Sequence, residues 1–134
     1  MMQPSKTTST PIEAFSWGLF KIRGKEHGKS TAGQILGVGK DICLIGEEVS
    51  RWKERKGHLL NKKMVRCVLN RGIDILVIGN GVLGAIEVPE EVQNYLRQNG
   101  IKEIIIEKTP KACATYNQLF SKGVKVALLA HGTC

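Results

Sequence analysis

Two short aliphatic runs, Asp74 to Ile78 (DILVI) and Glu103 to Glu107 (EIIIE), constrain this chain more than any other feature. Neither alternates apolar with polar residues along its centre. That pattern marks strands covered on both faces, as in sheets flanked by helices. The segment between them behaves differently. Val88-Pro89-Glu90-Glu91 opens a helix, with proline early and acids in the first turn, where the helix dipole favours them. Val92, Tyr95 and Leu96 form its inner face and Gly100 ends it. Thr109-Pro110 begins another helix, with Ala112, Cys113, Tyr116, Leu119 and Phe120 inward and Gly123 as terminator. Val124 to Ala130 is a further strand. Residues 60–130 are therefore expected to form an α/β unit in which the first two strands, at least, run parallel through a crossover.

Upstream the period changes. Residues 14–23 read as one strand with an irregularity near Gly18, and Gly24 and Gly28 bracket a turn. Ile35 to Gly39 is loop-like, Asp41 to Ile45 a short strand, Gly46 a turn and Glu47 to Lys53 a further strand. Leu60, Met64, Val65, Val68 and Leu69 then fall at helical spacing, with Asn61 as N-cap and Gly72 as stop. The fold class expected is α/β in three layers: a central mixed, partly parallel sheet, helices, and an added N-terminal β-hairpin layer. The length of 134 residues suits one domain. Residues 1–12, rich in Ser, Thr and Pro, are expected to be a mobile tail, and 13–134 a single α/β domain.

The net charge is +8, and most of it is concentrated. Arg51, Lys53, Arg55, Lys56, Lys62, Lys63 and Arg66 face only one acid, Glu54, within that span. Such a run attracts polyanions, although a solvated surface accounts for it equally simply. Lys62 and Lys63 also open a helix, where cations are mildly unfavourable, so a bound anion would suit them. No apolar stretch approaches the length of a membrane span. The cysteines, Cys43, Cys67, Cys113 and Cys134, have no CxxC spacing, and no export signal precedes them. A reduced, cytoplasmic protein is expected.

Gly79-Asn80-Gly81-Val82-Leu83-Gly84 matches G-x-G-x-x-G and follows a strand. A dinucleotide loop, however, starts its helix within the glycines, whereas here the helix starts near Pro89. What remains is a small anion on the Gly79–Gly81 amides, or a turn that needs glycine. His58, after Gly57 at a loop-to-helix junction, is either an anion ligand and acid–base group or a turn-fixing residue. His131 and Cys134 have H-x-x-C spacing, but zinc takes four ligands and no second paired spacing exists, so no metal and no cofactor are expected. No Ser-His-Asp set and no carboxylate dyad can be assembled. Trp17 and Trp52 are expected to anchor the core or the interlayer contact.

Ser16-Trp17-Gly18, Trp52 with Lys56-Gly57-His58, Asp74 through Gly81, Val88-Pro89, Gly100-Ile101, Tyr116-Asn117, Gly123 and the run from His131 to Cys134 follow one another in a familiar order. Over about residues 14–134 the chain resembles the small domain-of-unknown-function family that includes the mammalian adipogenesis-associated protein and a mitochondrial complex I assembly factor. The resemblance implies a three-layer α/β fold and no established catalysis, and it points to binding rather than turnover. Three functional readings follow, in order. The first is a non-enzymatic protein-binding or assembly module acting through an unidentified protein partner, as a monomer or homodimer and without a membrane. The second is a small-anion or nucleotide-binding enzyme using Gly79, Asn80, Gly81 and His58. The third is nucleic-acid binding through segment 51–66.

Overall fold

A computed structural model describes residues 9–134. The expected tail falls partly outside the described residues, and its last residue, Ile12, already belongs to a strand. Four strands form an antiparallel sheet in the order β1 (Ile12–Ser16), β2 (Leu19–Ile22), β3 (Lys25–Lys29), β4 (Ile35–Leu36). Five more form a mixed sheet: β5 (Asp41–Ile45), β6 (Glu48–Arg51), β7 (Ile75–Gly79), β8 (Glu103–Glu107) and β9 (Val126–His131), in the spatial order β6-β5-β9-β7-β8. The two aliphatic runs lie side by side and parallel, Val77 opposite Ile105, and β7 is also parallel to β9. β5 is antiparallel to both β9 and β6.

The sheet divides the core in two, and the period-2 alternation of its central strands decides which residue serves which side. Leu76, Ile78, Ala127 and Leu129 pack under α1 (Lys62–Val65) and α2 (Glu90–Gln98) with Trp52, Val92 and Leu96. Val77, Leu128 and Ala130 pack on the opposite face with Tyr116 of α3 (Thr109–Ser121) and with Ile12, Phe20 and Ile22 of the N-terminal sheet. Helix layer, mixed sheet, and a layer of α3 with the small sheet make the three layers. Two contacts fasten the last of them. Asn117 on α3 exchanges hydrogen bonds with the backbone of Ile12, and the Tyr116 hydroxyl donates to the Gly46 carbonyl at 2.7 Å. Cys43 and Cys113 are buried, and burial pushes the Cys113 thiol up to about 12, so it packs as a small hydrophobe. Among the described residues no helix is long and apolar enough to cross a membrane.

Three local expectations are corrected. The stretch 14–23 is two strands, because the chain reverses at Trp17-Gly18, where Gly18 takes φ +73°. Gly28 is no turn residue but lies inside β3, where a Cβ would overlap the Gly18 carbonyl. Ile35 and Leu36, expected in a loop, pair with β3.

The first helix is also shorter than its spacing predicts, four residues followed by a 3₁₀ turn at Arg66–Val68. The Met64 carbonyl, which a regular helix offers to the amide of Val68, accepts the Trp52 indole N–H at 2.8 Å. Asn61 is the N-cap as expected, its side chain accepting from the Met64 amide.

Candidate functional site

The carboxyl ends of the parallel strands β7 and β9 meet the start of β5 at one edge of the sheet. In α/β folds this is the edge where ligands bind. Asp41 opens β5 and lies opposite His131, which closes β9. That register puts the Asp41 Oδ1 at 2.6 Å from the His131 Nδ1. Asp41 Oδ1 also lies 3.0 Å from the Arg55 Nε, and Asp41 Oδ2 lies 3.8 Å from the Lys40 ammonium. Arg55 in turn donates to the Gly57 carbonyl at 2.6 Å. Burial works against ionising Asp41, but the His131 hydrogen bond and then the Arg55 and His131 charges outweigh it, and its carboxyl is held below the usual range. His131 is almost fully buried, and its Nε2 faces the Thr133 hydroxyl at 3.1 Å.

Beyond Nε2 lies Cys134, its Sγ 3.9 Å from His131 Nε2 and 3.7 Å from the Nε2 of His58. His58 reaches this point because the Glu87 amide donates to its carbonyl at 2.7 Å, anchoring the segment after Trp52 beside the loop after β7. Two histidines and a thiol thus present donor atoms within 4.8 Å of one another. The H-x-x-C pair is visible in the sequence; its third member is not, because His58 is brought in by the long-range bridge between residues 58–60 and Glu87.

The glycine loop packs against the same segment, in the manner of the turn, the second of its two expected uses. The amide of Asn80 donates to Glu107, Gly81 to the Thr109 hydroxyl, Val82 to Thr133, and Leu83 and Ala85 to Cys134. Gly84 donates to Gly81, and Ile86 donates to Asn80. Every amide from 80 to 86 therefore serves the fold, and none is turned toward an anion. Gly79 lies within β7, against Thr109 and Ala130. Thr109 relays the loop to β9, since its hydroxyl also donates to the His131 carbonyl at 2.7 Å.

The basic segment divides between two places, Arg51 and Arg55 at Asp41 and Lys62 and Lys63 at the start of α1. Arg51 lines a groove of about 310 Å³ with Lys29, Lys40 and Asp41. Arg55 is committed to Asp41, and Lys62 lies over the Tyr95 ring at 5.6 Å, which answers its position at a helix start. Lys63 lines a second hollow with Leu59 and Val92, while Lys53, Lys56 and Arg66 are exposed. Trp52 is a core anchor as expected, whereas Trp17 is 57% exposed at the first hairpin turn.

Asp41→Ala is expected to cost about 2 kcal/mol at neutral pH, since it leaves the Arg55 charge without its ion-pair partner and the His131 Nδ1 without its carboxylate. The depressed carboxyl sets the pH dependence. Its contribution is complete above the ordinary carboxyl value of 3.8 and is lost as pH falls through the lower folded value. Urea unfolding across pH should show wild type and variant converging in strong acid; a gap independent of pH would contradict the ion-pair account.

The fold is shared with solved structures. A conserved hypothetical protein from Pyrococcus horikoshii is 24% identical with a TM-score of 0.73, over 92% of this chain and 98% of that one. An outer membrane protein from Bartonella henselae is 23% identical with a TM-score of 0.72, over 93% and 96%. A Xanthomonas campestris protein is 18% identical with a TM-score of 0.68, over 98% and 92%. At these identities the likeness shows the fold. The family model described as protein of unknown function (DUF498/DUF598) matches residues 12–131, from the first strand to the histidine that closes the last, and the chain belongs to that family.

Proposed function

We propose that the chain acts as one α/β domain over residues 13–134, a non-enzymatic binding module that docks a protein partner through the face around residues 131–134. One observation carries this reading. Among the described residues, the exposed large hydrophobic side chains are Trp17, Ile35, Leu59 and Leu83, and three of these four flank that segment. Trp17 precedes Gly18, whose amide donates to Gly132 at 2.7 Å. The amide of Leu83 donates to Cys134, and Leu59 follows His58. Exposures of 57–69% for such side chains cost hydration free energy in the free chain, and a partner that covers them recovers it. Interface cores are enriched in aromatic side chains, and Trp17 supplies one on this face. The resemblance to an adipogenesis-associated protein and a complex I assembly factor supports the same reading, in which the module assembles other proteins.

The test is affinity capture with paired variants. Wild type and Lys62→Ala/Lys63→Ala should retain the same stoichiometric protein through moderate salt, while Trp17→Ser/Leu83→Ser should lose it at least tenfold, on the order expected when anchor side chains are removed. Recovery of the same proteins by wild type and Trp17→Ser/Leu83→Ser, or of none by either, would remove the docking face.

A further inference from the structure

We propose that His58, His131 and Cys134 form a binding site for a soft divalent transition ion, zinc foremost, with Asp41 orienting His131. Imidazole nitrogen and thiolate sulfur are the donors zinc prefers, and three protein ligands leave a fourth position for water or a partner's side chain.

The distances fit. Zinc bonds of about 2.3 Å to sulfur and about 2.0–2.1 Å to nitrogen in a tetrahedron set a sulfur–nitrogen separation of about 3.6 Å. The two such separations here are 3.7 Å and 3.9 Å. The remaining histidine–histidine separation lies within the 4.8 Å that bounds the cluster, and His58 is exposed, so its ring is free to turn inward.

The supporting groups are those such a site needs. A histidine that binds metal through one nitrogen donates its other ring N–H to a carboxylate, which fixes the ring and its tautomer. His131 meets this condition: its Nδ1 is committed to Asp41 at 2.6 Å, so Nε2 is the nitrogen left to face Cys134. Asp41 is itself held by Arg55 at 3.0 Å. The backbone of Cys134 is pinned by the amides of Leu83 and Ala85, both donating to its carbonyl. The frame is thus built from β5, β9 and the loop after β7; the His58 ring has to turn inward, and the Thr133 hydroxyl, 3.1 Å from His131 Nε2, has to release that nitrogen to the ion.

A thiol nucleophile activated by His131 would use the same sulfur, but it needs one imidazole for its proton. Two imidazoles converging on one sulfur are a ligand set. Binding removes the thiol proton to solvent and leaves the thiolate and two neutral imidazoles on the ion. This inference does not depend on the docking reading. It is measured on the isolated chain, so either can fail while the other stands.

The experiment is titration of the reduced, chelator-treated protein with Co(II), followed by displacement with Zn(II). The expected result is saturation at one ion per chain, with a thiolate-to-cobalt charge-transfer band in the near ultraviolet and the visible bands of tetrahedral cobalt. Cys134→Ser should abolish the charge-transfer band, His58→Ala should weaken binding at least tenfold, and Asp41→Asn should weaken it about 10–100-fold through His131. His58 is exposed and Cys134 partly so, and both variants should keep the wild-type melting profile without metal. No saturation at one equivalent, a spectrum without the thiolate band, or a band that survives Cys134→Ser would overturn the site.

Discussion

Replacing Trp52, the largest fully buried side chain among the described residues, with alanine is expected to cost about 3–5 kcal/mol. Trp52 is 1% exposed and belongs to the core under α1 and α2. Truncation removes the volume that Leu60, Met64 and Val65 pack around, and a cavity adds to the transfer term because neighbours relax only partly. It also takes the indole N–H from the Met64 carbonyl, which accepts it at 2.8 Å. A domain of this size has about 5–15 kcal/mol in all, so the variant should be marginal at physiological temperature. Trp52→Phe separates the two effects: most of the volume stays while the indole donor is lost, and a deficit of about 1–3 kcal/mol is expected from the unsatisfied carbonyl. Urea unfolding followed by circular dichroism measures both. A Trp52→Ala midpoint within 1 kcal/mol of wild type, about the typical effect of a random substitution, would show that this tryptophan does not hold the helix layer.

Trp52 also shows what the sequence discloses and what it withholds. The central sheet is legible because aliphatic runs leave a local mark: DILVI and EIIIE pair parallel as expected, although only DILVI is deeply buried and EIIIE is a half-buried edge strand. The capping asparagine, the proline-led helices and the glycine stops are legible for the same reason, since each acts within a few residues. The length of the first helix is not, because a tryptophan ten residues upstream takes one of its carbonyls. The candidate site is hidden more deeply. Its histidine pair exists through strand register, which sets Asp41 against His131, and through a parallel bridge in which the Glu87 amide donates to His58 and the Leu60 amide to Glu87. The H-x-x-C spacing shows His131 with Cys134, but nothing in the spacing brings His58 to them. The glycine motif misleads in the opposite direction. Its spacing matches an anion loop, while its amides are consumed by Glu107, Thr109, Thr133 and Cys134.

A side chain at Gly81 should therefore unsettle the fold rather than block a ligand. Gly81 adopts φ +104°, which side chains rarely take, and a Cβ there would overlap the backbone carbonyl of Cys134. Neither partner can step aside. The Gly81 amide is held by Thr109 Oγ1 at 3.0 Å, its carbonyl accepts from the Thr109 amide at 3.1 Å, and Cys134 is held by Leu83 and Ala85. Gly81→Val is expected to lose at least about 3 kcal/mol, backbone strain and overlap together. Gly84→Ala is the control within the same loop. It too has a positive φ, +74°, but its Cβ would meet Lys108 Cε at an ordinary 3.5 Å, so only the conformational cost of about 1 kcal/mol applies. The two variants should differ in urea midpoint by a clear margin, and equal midpoints would mean that the loop does not brace the segment after β9. Where Gly81→Val still folds, the displaced carbonyl carries Cys134 away from His58 and His131. Its Co(II) charge-transfer band should then disappear while that of Gly84→Ala persists, which ties the close approach at one glycine to the geometry of the thiol site.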